Sequence, residues 1–270
     1  MQGLNNIRYV ALLTFKEGIR HRTMAAVFFF ALAMAAANIA FTGFFSWDLG
    51  KVSVEFGLSA TAFCGLALIF FLGSKLISDD LEQHTVYFVL SRPVTRGQYI
   101  WGKFLGLCAI LLAASIIMGL ASAVPAGYVL WRYPGYSSPL FSWGKFFLAL
   151  GFEWLSLMVV QAVAMFWFCF SSQSFLAILL SASTYFIGQN MEILRRALEK
   201  KGGAGPLLNA ILVAISWIFP NLSFFDLKTA AAYGLPIDAA RTAFSVIYAL
   251  SYMALLLFLS QLRFGRRELG

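Results

Sequence analysis

Charge is what this sequence has least of. Only 12% of its 270 residues are Asp, Glu, Lys or Arg, about half of what an average soluble domain carries. The apolar share is 60% and the mean hydropathy +0.79. Met24 to Ser46 and Phe104 to Leu130 contain no charged residue, and each exceeds the roughly 20 apolar residues that cross a bilayer as a helix. A soluble fold is thereby excluded in favour of an integral membrane protein. Cysteine is equally sparse: Cys64, Cys108 and Cys169 all fall inside predicted spans and none is spaced as CxxC, which argues against a disulfide framework or zinc site. His21 and His84 are isolated and no HExxH occurs, so no metal centre is expected.

The net charge of +8 comes from 20 Lys and Arg scattered between apolar runs rather than gathered on one face. They read as topology signals and headgroup contacts, not as a nucleic-acid surface. Ahead of the first run, Leu4, Ile7, Ala11, Phe15 and Ile19 recur at helical spacing, flanked by Arg8, Lys16, Arg20 and Arg22. This predicts a helix over residues 1–23 lying on the membrane surface. That stretch contains Glu17 and is long for the cationic region of a signal peptide, so the following hydrophobic run reads as a retained anchor.

The expected architecture is all-α, one domain over 1–270, with six transmembrane helices at about 24–46, 58–77, 104–130, 146–170, 175–193 and 241–260. Within residues 188–240, Leu207 to Phe219 is apolar but fenced by Pro206 and Pro220. At about 1.5 Å per residue it reaches roughly 20 Å against a core of about 30 Å, so it is expected to be re-entrant or interfacial on the outer side. With both termini cytosolic, the inner side holds Arg8, Lys16, Arg20, Arg22, Lys75, Arg92, Arg96, Lys103, Arg263, Arg266 and Arg267, eleven of the 20 cations. A seventh span would give ten against ten, so length and prolines decide the topology. Arg195, Arg196, Lys200 and Lys201 in an outer loop run against the positive-inside expectation.

The polar passage Asp79 to Lys103, DDLEQHTVYFVLSRPVTRGQYIWGK, separates spans two and three. Asp79 and Glu82 form a D-x-x-E variant of the capping box, predicting a short helix from Asp80 to about Leu90 that ends before Pro93. Thr95 and Gln98 form a second box, T-x-x-Q, that starts the third long helix before it enters the membrane. Asp80, Gln83, His84 and Tyr87 of the short helix remain available to a partner. Gly97, Gly102 and Lys103 satisfy G-x-x-x-x-G-K, but Phe104 stands where a P-loop needs Ser or Thr, and no strand precedes. Nucleotide binding by this chain is therefore not expected.

Three further residues are candidates on position alone. Glu153 lies about two turns into the fourth span, an intramembrane carboxylate read either as substrate or cavity lining or as a residue near the interface, paired with Lys145 or hydrated in an outer cavity. Asn38 and Gln161 offer interhelical hydrogen bonds, with packing weighed above a ligand role. Gly102 and Gly106, among other small pairs, have the spacing of close helix packing.

Glu82, Thr85, the run Leu90 to Arg96, and Gly102–Lys103 resemble the E-x-x-T, L-S-R-P-V-S/T-R and G-K pattern of ABC-2 type transporter permeases. Tyr9 to Arg22, Pro220 to Lys228 with Tyr233 and Gly234, and Phe264 to Arg267 extend the resemblance over essentially the whole chain. It is nearest to the single-domain, six-span branch that includes the permease of nitrous oxide reductase copper maturation. His84 departs from the pattern, which commonly has Gly there.

The resemblance implies a non-enzymatic permease of a bacterial or archaeal cytoplasmic membrane. It would dimerise, preferably with its own copy, and dock on two copies of a separate ABC ATPase that binds the ATP and Mg. Helix Asp80 to Leu90 would then be the coupling helix, with Asp80, Glu82, His84, Thr85, Tyr87, Arg92, Pro93 and Arg96 as coupling residues. Two other classes stay open from the residues alone. A membrane-embedded enzyme would need convergent catalytic groups, whereas Glu153 stands alone. A non-transporting anchor or secondary carrier is the other, against which the lack of an internal repeat weighs.

Overall fold

In lipid every backbone polar group must be satisfied within the chain, so a sequence this apolar and rich in long runs folds as helices. The structure is a computed structural model that describes residues 2–20, 22–42, 44, 48–77, 95–133, 140–171, 173–199, 213 and 218–266. Among the described residues there is no strand. Helix α1 (Gln2–Arg20) leads into α2 (Thr23–Thr42), and α3 (Leu49–Ala67) continues through a π-helical turn (Leu68–Gly73) to Ile77. Then follow α4 (Arg96–Arg132), α5 (Trp143–Phe170), α6 (Ser174–Gln189) and α7 (Met191–Glu199). A 3-10 turn (Leu222–Phe225), α8 (Lys228–Tyr233) and α9 (Ala239–Arg266) complete the order.

Among the described residues, five stretches are long and apolar enough to cross a membrane: Thr23–Phe41, Leu49–Ile77, Arg96–Arg132, Trp143–Phe170 and Ala239–Phe264. The fifth expected span, 175–193, instead divides. Helix α6 has 16 residues, about 24 Å at the usual rise, and stops where Asn190 binds the Phe186 carbonyl through its side chain (2.8 Å). Helix α3 begins nine residues earlier than the expected 58, because Asp48 and Lys51 pair at 2.7 Å and let the helix start outside the apolar run. Of the expected re-entrant segment Leu207 to Phe219, all but Val213, Ile218 and Phe219 lies outside the described residues.

Helix α4 is the axis of the bundle. Its 37 residues span about 55 Å, well beyond the hydrocarbon core, and α1, α2, α3, α5 and α9 all pack on it. Ile110, Met118, Ile69, Leu58 and Leu157 are among its fully buried neighbours and members. Helix α1 lies close against it: a Cβ at Gly102 would stand 2.6 Å from Val10 Cβ, and one at Gly106 2.7 Å from the Ala11 carbonyl oxygen. Only hydrogen fits there, which is the close approach that small residues permit. One end of the bundle, called here the tail end, gathers α1, the start of α4, Ile77 and the end of α9. The opposite, far end gathers the starts of α3 and α5 with α8.

Candidate functional site

The start of α4 carries the predicted reciprocal cap. Gln98 N–H donates to Thr95 Oγ1 (3.3 Å), and Thr95 N–H donates to Gln98 Oε1 (3.1 Å). This satisfies two of the four amides that a helix start leaves without partners. Arg96, the coupling candidate that falls within the described residues, donates from Nη1 to the Phe264 carbonyl (3.1 Å). Tyr99 stacks on the Phe264 ring, with centroids 6.0 Å apart. Asn6 of α1 donates to Gln98 Oε1 (3.3 Å). Lys103, with its side chain 3% exposed, reaches Glu17 at 3.8 Å. The first two turns of α4 are therefore held by α1 on one side and α9 on the other. Asp80, Glu82, His84, Thr85, Tyr87, Arg92 and Pro93 lie outside the described residues.

The same geometry disposes of the P-loop lookalike. Gly97, Gly102 and Lys103 sit in continuous α-helix, where backbone amides point along the axis into intrahelical bonds instead of forming a phosphate cradle. Gly97 is covered by the Gln261 side chain and Gly102 by α1.

At the far end, Glu153 finds a partner that local spacing did not name. Its Oε2 stands 3.3 Å from Nζ of Lys228, with side-chain exposures of 11% and 17%. Lys145, the lysine nearer in sequence, does not reach Glu153. That ammonium instead donates to the Gly234 carbonyl (2.6 Å). Gly234 has a left-handed backbone (φ 71), and a Cβ there would meet the Leu140 carbonyl at 2.3 Å, so the turn after α8 requires glycine. Lys51 lies over the Tyr233 ring at 4.6 Å. Two cations, from α3 and α5, thus clasp the end of α8 and the turn after it, and Lys228 of α8 turns to the buried Glu153.

Lys228 is positioned by its neighbours. Its N–H donates to Asp226 Oδ1 (3.1 Å), an Asx turn that starts α8. Beside it lies a polar cleft of about 440 Å³ lined by Glu192, Asp226, Asp238, Arg241, Thr242 and Ser245. Sequence reading missed this cleft, because its acids look like isolated helix starts; Asp238 accepts the Ala240 N–H (3.0 Å) in the same manner.

Asn38 and Gln161 do not join the pair. Asn38 donates to the Ser53 carbonyl (2.9 Å), tying α2 to α3, and lines a void of about 10 Å³, room for about one water. Gln161, 1% exposed, lies with its amide against Gly73 in the π-helical turn. Asn38 thus bridges α2 and α3, and Gln161 packs where α5 meets the π-helical turn.

A bundle of long apolar helices, gripped at one end by charged and aromatic contacts and carrying a buried ion pair at the other, is the architecture of an integral membrane protein. A family model described as ABC-2 family transporter protein matches residues 2–269. The chain belongs to that family, which supplies transmembrane subunits of ABC transporters. No curated protein matches it.

Proposed function

We propose that this chain is the permease subunit of an ATP-driven exporter in a bacterial or archaeal cytoplasmic membrane. It works as a dimer, with both termini cytosolic, on two copies of a separate ATPase that binds ATP and Mg. The observation that carries this reading is the family match over residues 2–269. It encloses the passage 79–95, flanked by apolar helices α3 and α4.

The tail end supports a mechanical role for that passage. A docking helix at Asp80 to Leu90 would begin three residues after Ile77 and end five before Thr95 in the sequence. Force on Thr95 enters α4 where Arg96, Tyr99 and Lys103 couple it to α9 and α1, so these three helices respond as a unit. Force on Ile77 enters α3 through the π-helical turn Leu68–Gly73, a wider and weaker stretch of helix of the kind found at functional positions. Closure of the ATPases then displaces α3 against α4. At the far end the Glu153–Lys228 pair is the lock that such a displacement opens, and it lines the substrate path.

The test is capture of the ATPase by the affinity-tagged chain from solubilised native membranes. Replacing Glu82 and Arg92 with Ala is expected to lower the captured ABC ATPase at least tenfold, the loss of about 1.4 kcal/mol of docking energy, with insertion unchanged. Capture and transport at wild-type levels in the double variant refute the docking assignment.

A further inference from the structure

We infer that the groove between α2 and α3 at the tail end is a binding site for an anionic phospholipid. The groove encloses about 510 Å³, within the range of ligand sites. Among the described residues, the charged ones that line it, Arg22 and Lys75, are both cationic and sit with Thr23 at one end. The remaining walls are apolar, among them Phe30, Phe63 and Phe71. The start of the 20-residue helix α2 also lies at this end, adding the positive end of its dipole. A phosphodiester fits that end and an acyl chain the rest.

The dimensions match one leaflet. From Thr23 to Phe30 is about 11 Å of helix and from Phe63 to Lys75 about 18 Å, against roughly 15 Å for half the hydrocarbon core. Phe30 and Phe63 close the deep end, with ring centroids 6.1 Å apart. The groove also faces outward from the bundle: only 17% of the α2 hydrophobic stretch is buried within the protein, and Phe71 is exposed. Among the described residues, no side chain closes this face to a lipid entering sideways from the bilayer. A zwitterionic lipid would set its own ammonium beside the two cations, so the site selects for net negative charge.

The test uses the full-length chain in detergent, with phosphatidylglycerol, phosphatidylcholine and inorganic phosphate as probes and native mass spectrometry as the readout. At about fivefold for each cation, retention of phosphatidylglycerol over phosphatidylcholine is expected to be on the order of twenty-five-fold. Arg22 has positive φ (56°), so the charge-removing variant is Arg22→Asn, which tolerates that backbone, combined with Lys75→Gln. This variant should bring the preference close to one. Ala26→Trp, which fills the exposed groove wall and keeps both cations, should release phosphatidylglycerol as well. Equal retention of the two lipids by the wild type, or an unchanged preference in either variant, overturns the inference. So does retention of inorganic phosphate in place of lipid. A disulfide between copies through Phe71→Cys in native membranes would show that a second chain covers the groove, and would overturn it too.

Discussion

Breaking the Glu153–Lys228 pair one side at a time should cost more than removing it whole. At 3.3 Å the direct attraction is about 5 kcal/mol for an effective dielectric near 20, and desolvation of both groups offsets much of it. Lys228→Met leaves the carboxylate among apolar side chains of α5, and Glu153→Gln strands the ammonium. Each single change is expected to cost about 3 kcal/mol, the lower end for buried pairs because both side chains retain a little solvent contact. The double variant strands no charge and should cost about 1–2 kcal/mol, for a coupling energy of about 4–5 kcal/mol in magnitude. The assay is thermal unfolding of the purified full-length protein in detergent. At about 2–4 °C per kcal/mol for a chain near this size, each single variant should melt roughly 6–12 °C lower, and the double variant should recover part of that loss. Additive single effects, within about 0.5 kcal/mol, would mean that the two groups do not meet.

Gly106→Ala should push α1 off α4, because the new methyl would lie 2.7 Å from the Ala11 carbonyl oxygen; a cost of about 1–3 kcal/mol is expected. Trypsin should then cleave at Arg8 and Lys16 faster than in the wild type, while Gly151→Ala, where nothing lies within 4 Å, serves as the control that should not. Equal cleavage rates refute the packing. Cysteines placed at Lys200 and Leu235 should react with an impermeant maleimide from the same side of the membrane, against a background of three buried native cysteines. Reaction from opposite sides would establish a further crossing between those positions.

How far a feature was legible depended on how local its cause was. The cap at Thr95 was readable because its two hydrogen bonds join residues three apart. The Gly102 and Gly106 pair was readable as a spacing, but not as a contact with α1, since a small-residue pair does not name its neighbour. The division of the fifth expected span was not readable. Hydropathy averages over Gly188 and Asn190, whereas the close approach of the Pro220 carbonyl to Gly188 brings in a segment some thirty residues away. Glu153 stood out as an intramembrane carboxylate, yet its partner is separated from it by 75 positions, and the nearer lysine was the natural but wrong choice.

The sequence by itself determined the class of molecule: scarce charge and long apolar runs leave helices as the only way to satisfy the backbone in lipid, and the motif around Glu82 to Lys103 marked the family. Only the tertiary structure decided which lysine meets Glu153, what covers the glycines of α4, and that Arg22 and Lys75 share the mouth of one groove. Those outcomes depend on how helices distant in sequence rotate and cross to fill space. That is set by the whole packed bundle, and no window of neighbouring residues contains it.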